Sequence, residues 1–178
     1  IEVLLNNFDG LVVIDEAYIN FAKQKTFIPE LMEYPNLVIL QTLSKAWGLA
    51  GLRLGMAFAG QPIINYFNKV KYPYNINTAT QQLAMEALGN ILSINNWTKT
   101  TAEQKDWLSE ELGKINSTKI VYPSDANFIL VKMDNAKKVY EFLTTKGIIV
   151  RDRSKVILCD DCLRITIGTP EENKKLVL

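Results

Sequence analysis

A lysine follows a serine at the end of an apolar run. Leu37, Val38, Ile39 and Leu40 lead into Gln41-Thr42-Leu43-Ser44-Lys45-Ala46-Trp47-Gly48-Leu49-Ala50-Gly51-Leu52-Arg53-Leu54-Gly55. A lysine at the mouth of a sheet can act as an amine nucleophile toward a carbonyl. Glycines let the backbone come close to an anion, while Ser44 and Arg53 offer a hydroxyl and a fork of N–H donors to hold it. A second candidate group lies upstream, where Leu11-Val12-Val13-Ile14 ends in Asp15-Glu16-Ala17-Tyr18. An aspartate there is a turn residue or cap when alone; beside Tyr18 and Lys45 it reads as part of a site. Further on, Arg151 and Arg164 sit in or next to apolar stretches. An arginine in a half-buried strand usually has an anionic partner, here a bound anion or an internal carboxylate such as Asp160 or Asp161. Cys159-Asp160-Asp161-Cys162 has CxxC spacing. A redox or zinc role needs further ligands or a thioredoxin-like setting, so an ordinary thiol pair is the reading.

These groups need elements to present them. Residues 11–14 and 37–42 are continuous apolar runs, as in strands buried on both faces of a parallel sheet. Residues 55–59 read as a third strand. Residues 63–70 form a short amphipathic helix with Ile63, Ile64, Phe67 and Val70 on one side. Residues 20–34 read as loop plus a short helix, and residues 71–77 as a linker or hinge. The aromatic residues Tyr66, Phe67, Tyr72 and Tyr74 are assigned to core. Thr78 caps a helix running to about residue 88, and residues 94–114 make a long one. Strand-like stretches follow at 120–123, 127–132, 148–151 and 162–167. A helix spans 136–146, ended by Gly147, and Thr169-Pro170 opens the last. The first part is therefore α/β and the second α+β.

With 178 residues there is room for one large domain or two small ones. The net charge of +1 provides no basic field, which disfavours nucleic acid as the main partner. The chain has no histidine, which removes histidine-dependent triads and most zinc hydrolase sites. Acid–base work falls to lysine, tyrosine or carboxylates. No apolar run approaches the ~20 residues that span a membrane.

The ordered motifs resemble a known family. Val13-Ile14-Asp15-Glu16-Ala17-Tyr18, followed by residues 42–55, is similar to the cofactor motif of fold-type I pyridoxal-phosphate aminotransferases. Within these, Asp15-Glu16-Ala17-Tyr18-Ile19, Lys71-Tyr72-Pro73-Tyr74-Asn75 and Cys162-Leu163-Arg164-Ile165-Thr166-Ile167-Gly168-Thr169 resemble the histidinol-phosphate aminotransferases. The resemblance covers essentially the whole chain and the C-terminal half or so of that family's polypeptide. The fold it implies is α/β. Residues 1–76 are the second half of the large cofactor domain, a mostly parallel sheet flanked by helices, and residues 77–178 an α+β small domain.

The resemblance also implies a cofactor, pyridoxal 5′-phosphate, held as an imine on Lys45, whose free amine then shuttles the substrate's α-proton. Asp15 pairs with the pyridine nitrogen, and a buried carboxylate there is stable only when paired. Tyr18 donates to the ring oxygen, and Ser44 and Arg53 bind the phosphate. Arg164 and Arg151 bind the anionic groups of histidinol phosphate and of glutamate or 2-oxoglutarate; Tyr74 and Asn75 line the hinge. The implied whole enzyme is a cytoplasmic homodimer of histidine biosynthesis. Aromatic or aspartate aminotransferases and threonine-phosphate decarboxylases share the chemistry and stay open, as does an inert fragment. Trp47 stands where phenylalanine is commoner and Met56 where tyrosine often occurs. The family's upstream contacts are absent: the glycine-containing phosphate loop, the stacking aromatic, the asparagine of an Asn-Pro-rich motif and a tyrosine lent by the partner subunit. A start at Ile1 without methionine and a stop inside a helix at Leu178 read as truncation. Strands lacking neighbours should expose edges and favour self-association.

Overall fold

The computed structural model describes residues 1–178, which divide into two compact units, Ile1–Asn95 and Asn96–Leu178. The first unit takes in Ile94, which packs with Phe21 and Ala46.

The first unit holds α1 (Glu2–Asn7), β1 (Val12–Asp15), β2 (Leu37–Thr42), β3 (Gly55–Ala59), α2 (Gln61–Val70) and α3 (Thr78–Leu88). Its sheet has the order β1-β2-β3. β1 runs parallel to β2, with Val12 opposite Leu37 and Asp15 opposite Leu40. β3 returns antiparallel to β2, pairing Thr42 with Gly55. Leu37, Val38 and Ile39 are buried because β2 is the central strand, covered on both faces. With Leu5, Leu37 and Ile39 anchor a core that takes in Val12, Ile14, Phe27, Leu31 and Phe58. Asn36 sets the entry. Its Nδ2 donates to the carbonyls of Leu5, Phe8 and Gly10 at 3.2, 3.1 and 3.3 Å, while its own carbonyl accepts from the Val12 N–H at 2.9 Å.

Three expectations are corrected here. β1 is not buried on both faces: Val13 is 56% exposed, because β1 pairs on one side only and alternate side chains leave the pleat toward solvent. Tyr66, Tyr72 and Tyr74 are exposed rather than core, since α2 and the segment after it turn these rings outward. The cap of α3 is Asn77, not Thr78, and its side chain accepts from the Thr80 N–H at 2.8 Å. The open apolar edge of β1 has a measurable consequence. In sedimentation velocity the protein should self-associate with rising concentration, and Val13→Lys should shift it toward monomer, as a charge on an edge strand does. Equal association by the variant would show that another surface is used.

α4 (Ile91–Lys114) ends in the second unit, which continues through β4 (Thr118–Val121), β5 (Phe128–Met133), α5 (Ala136–Thr145), β6 (Arg151–Asp152), β7 (Cys162–Thr166) and α6 (Pro170–Val177). The sheet order is β4-β5-β7-β6, antiparallel throughout. β5 alternates with period two, and Ile129, Val131 and Met133 point inward. They meet Leu163 and Ile165 of β7 and, from α4, Leu108 and Leu112, one helical turn apart. Ile129 is fully enclosed. Ile129→Ala should cost about 2–5 kcal/mol, read as a lower urea midpoint at unchanged slope. α6 starts with a capping box, in which Thr169 Oγ1 accepts from the Glu172 N–H and Glu172 Oε2 accepts from the Thr169 N–H. Buried Asn173 closes the turn after β7. It accepts from the Gly168 N–H at 2.9 Å and donates to the Gly168 carbonyl at 3.0 Å.

Candidate active site

In the first unit, the parallel pairing of β1 with β2 brings their C-terminal ends to one edge of the sheet. Asp15 ends β1 there and is exposed, with Oδ1 accepting from the Ala17 N–H at 2.9 Å. The chain then turns through Tyr18 into the 3-10 turn Ile19–Phe21. β2 and β3 form a hairpin whose loop carries Ser44, Lys45 and Arg53. The Leu43 N–H donates to the Leu54 carbonyl at 3.2 Å, so Ser44 and Arg53, next to those two residues, are held at the neck of one loop. Thr42 Oγ1 accepts from the Ser44 N–H at 3.1 Å and donates to the Leu54 carbonyl at 3.3 Å. Gly48 (φ 67°) and Arg53 (φ 52°) adopt the left-handed conformation that lets the loop return on itself. This is routine for glycine and costs a side chain of arginine's size about 1–2 kcal/mol. Arg53 Nη1 donates to the Ala50 carbonyl at 3.0 Å.

Lys45 is exposed, and its Nζ lies 5.2 Å from the centroid of the Tyr18 ring. The lysine of one loop and the tyrosine of another are thus in contact, although 27 positions apart by number (45 − 18). Asp15 at the end of β1, and Tyr18, Ser44, Lys45 and Arg53 on the loops that follow β1 and β2, are all carried at this one end of the sheet.

Sequence reasoning passed over Glu16. It is the buried carboxylate here, while Asp15 is the exposed one. Oε1 accepts from the Phe27 N–H at 2.8 Å, and Oε2 accepts from Thr26 Oγ1 at 2.7 Å and Gln41 Nε2 at 2.9 Å. Strand alternation could have found it, since consecutive residues at a strand end face opposite ways.

In the second unit, Arg151 of β6 stands directly opposite Arg164 of β7. Cross-strand partners share a face, so the two guanidinium-bearing side chains leave the sheet side by side. They border a depression of about 500 Å³ that is also lined by Tyr140, Arg153 and Thr166. The Arg164 guanidinium lies 4.9 Å from the Phe128 ring centroid, and its buried Nε has no hydrogen-bond partner. No ion pair joins Arg164 to Asp160 or Asp161. Tyr74 and Asn75 stand exposed between α2 and α3. Cys159 and Cys162 are free thiols, and burial, with Cys159 nearby, pushes the Cys162 thiol above its ordinary value.

The chain is an α/β unit with a lysine-bearing hairpin at its strand ends, followed by an antiparallel α+β unit with paired arginines. The pattern of the family described as aminotransferase class I and II matches residues 1–178, and the chain belongs to it. Among curated proteins, the chain is 54% identical over 174 residues to the histidinol-phosphate aminotransferase of Cytophaga hutchinsonii, covering 98% of this chain and 50% of that protein. It is 50% identical over 177 residues to that of Bacteroides thetaiotaomicron, covering 99% and 51%. The chain therefore spans about half the length of the curated relatives it matches. Among solved structures, the histidinol-phosphate aminotransferase from Clostridium acetobutylicum superposes with a TM-score of 0.88 at 25% identity, over 99% of this chain and 54% of that one. The enzyme from Sinorhizobium meliloti, solved in complex with pyridoxal 5′-phosphate, gives 0.77 at 25% identity, over 94% and 46%.

Proposed function

We propose that this chain contributes the lysine-bearing wall and the anion-binding arginines of a pyridoxal 5′-phosphate-dependent transaminase acting on histidinol phosphate and 2-oxoglutarate. The observation that carries the reading is the loop edge of the first sheet, where Lys45 touches Tyr18 and shares its hairpin neck with Ser44 and Arg53. The donor set fits the cofactor: a primary amine, a carboxylate, a hydroxyl and a guanidinium at the C-terminal ends of parallel strands, where α/β sheets bind ligands. Lys45 would carry the cofactor, Asp15 its ring nitrogen, Tyr18 its ring oxygen, and Ser44 with Arg53 its phosphate. The bound group supplies an electron sink for the carbon that loses its proton. Lys45, once its amine is free, removes that proton and returns it one atom away. Tyr18 orients the amine through its ring.

The paired arginines support an anionic substrate. Like charges directly opposite on neighbouring strands are destabilising, and Arg151 and Arg164 face each other with no carboxylate bridging them. A phosphate or carboxylate between them relieves the repulsion and suits two guanidinium forks. One such site accommodates both substrates, because each is an anion. Tyr74 and Asn75 border the site in this reading. The large and small domains at residues 1–76 and 77–178, a homodimeric assembly and a cytoplasmic location belong to the same proposal.

Amino-donor profiling of the polypeptide at the full length of its relatives tests the substrate. Histidinol phosphate should be the preferred donor to 2-oxoglutarate. Preference for an aromatic amino acid or aspartate would replace this assignment with the corresponding aminotransferase.

A further inference from the structure

We infer that Glu16 is a positioning residue: its buried carboxylate clasps the ends of β1 and β2 and thereby sets Tyr18 against Lys45. The inference rests on the reading of Lys45 as the reactive amine.

Glu16 is 5% exposed, the one buried ionisable side chain of the first unit, and no cation pairs with it. Burying a charge is costly unless hydrogen bonds replace its lost hydration. Three do so, and each partner donates: Thr26 Oγ1, the Phe27 N–H and Gln41 Nε2. The partners sit on different segments. Thr26 and Phe27 open the 3-10 turn Ile28–Met32, and Gln41 lies on β2 near the hairpin neck. Thr26 Oγ1 also accepts from the Ile28 N–H at 3.1 Å, which ties that turn to the clasp. The backbone of Glu16 is spent as well. Its N–H donates to the Leu40 carbonyl at 2.8 Å, and its carbonyl accepts from the Ile19 N–H at 3.1 Å.

The Ile19 bond starts the 3-10 turn that Tyr18 precedes. Glu16 therefore holds three things at once: the exit of β1, the strand that leads to Lys45, and the return of the long loop between β1 and β2. If the clasp opens, Asp15 and Tyr18 lose their fixed distance from Lys45, while the apolar core around Leu37 and Ile39 stays closed. The adjacent acidic residues divide the labour. Asp15 points outward to meet a ligand, and Glu16 points inward to keep Asp15 and Tyr18 in place.

Glu16→Gln keeps the shape but removes the charge that strengthens all three clasp bonds, and its NH₂ can meet Gln41 only if that amide turns over, so the bond to Gln41 loses its charge assistance. The exchange E16Q/Q41E restores complementarity across that bond. The readout needs no cofactor. Lysine amines labelled by reductive ¹³C-methylation give NMR signals, and the Lys45 signal, identified by its absence in Lys45→Arg, carries a ring-current shift that Tyr18→Leu removes. Glu16→Gln should remove that shift with cooperative melting retained, and E16Q/Q41E should bring it back. In parallel, the apparent Kd for pyridoxal 5′-phosphate should rise about tenfold in Glu16→Gln, as expected for losing a hydrogen bond to a charged group, and recover in the exchange. If Glu16→Gln does not fold, Thr26→Val, which removes one donor, must show the same loss of shift. A Lys45 shift unchanged in the folded variant, or not restored by the exchange, overturns the inference. Absence of cofactor binding by the polypeptide at the full length of its relatives would sink the functional reading, while the NMR shift would still decide the role of Glu16.

Discussion

Lys45→Ala should abolish the visible absorption band expected of the protein with pyridoxal 5′-phosphate, and borohydride trapping followed by peptide mapping should label residue 45 in the wild type alone. The chain has many other amines, since it holds fifteen lysines besides Lys45. Exposed lysines react with an aldehyde weakly and without preference. Lys45 differs in its surroundings: its ammonium faces the Tyr18 ring at 5.2 Å, with Ser44 and Arg53 at the neck of its own loop. In the proposed function those neighbours would bind the rest of the cofactor and raise its local concentration at this amine above that at any surface lysine. The substitution should leave stability within about 0.5 kcal/mol, because the side chain is exposed and its one aromatic contact is weak. A band that survives Lys45→Ala, with label spread over several lysines, would remove the assignment.

Arg164→Met should weaken binding of histidinol phosphate by at least about 30-fold, measured by calorimetry, while changing the melting temperature little. Two opposed effects on stability explain the second half. The variant loses the guanidinium's contact with Phe128, worth about 0.5–1 kcal/mol at a partly exposed site, and it also loses the repulsion from Arg151, of similar size. Binding has no such offset, since removing one partner of a charged, hydrogen-bonded pair costs about 2–5 kcal/mol. Arg164→Lys keeps the charge but not the fork, and should recover only part of the affinity. If Arg164→Met destabilises the second unit strongly and leaves binding intact, the arginine is structural.

Much of the scaffold was legible because it rests on local patterns. The apolar runs at 37–42 and 127–132 gave β2 and β5 directly, and Thr169-Pro170 marked the start of α6. Two facts needed the third dimension. The direction of β3 is set by the hairpin loop that joins it to β2, and an apolar stretch of five residues reads the same in either direction. The outward turn of Tyr66, Tyr72 and Tyr74 follows from which faces find partners, and composition cannot report that. At the site, residue types were legible through motif order, but their pairings were not. That Arg151 opposes Arg164 depends on the register of β6 with β7 across a long loop. That Glu16, rather than Asp15, is buried depends on the parity of the pleat.

That parity limits how this part of the chain can change in length. Asp15 and Glu16 have opposite fates only because they are neighbours at the end of a strand whose entry is pinned by Asn36. Inserting or deleting one residue within Val12–Asp15 would invert the pleat from that point. The shorter carboxylate would then face Thr26, Phe27 and Gln41, and the longer one would face solvent. The exposed residues 23–25 are under no such constraint, because the chain is tied before them at the turn Ile19–Phe21 and after them at Thr26. Variation in length is therefore tolerated in the loop and excluded in the strand, so β1 acts as a fixed ruler against which Lys45 is placed.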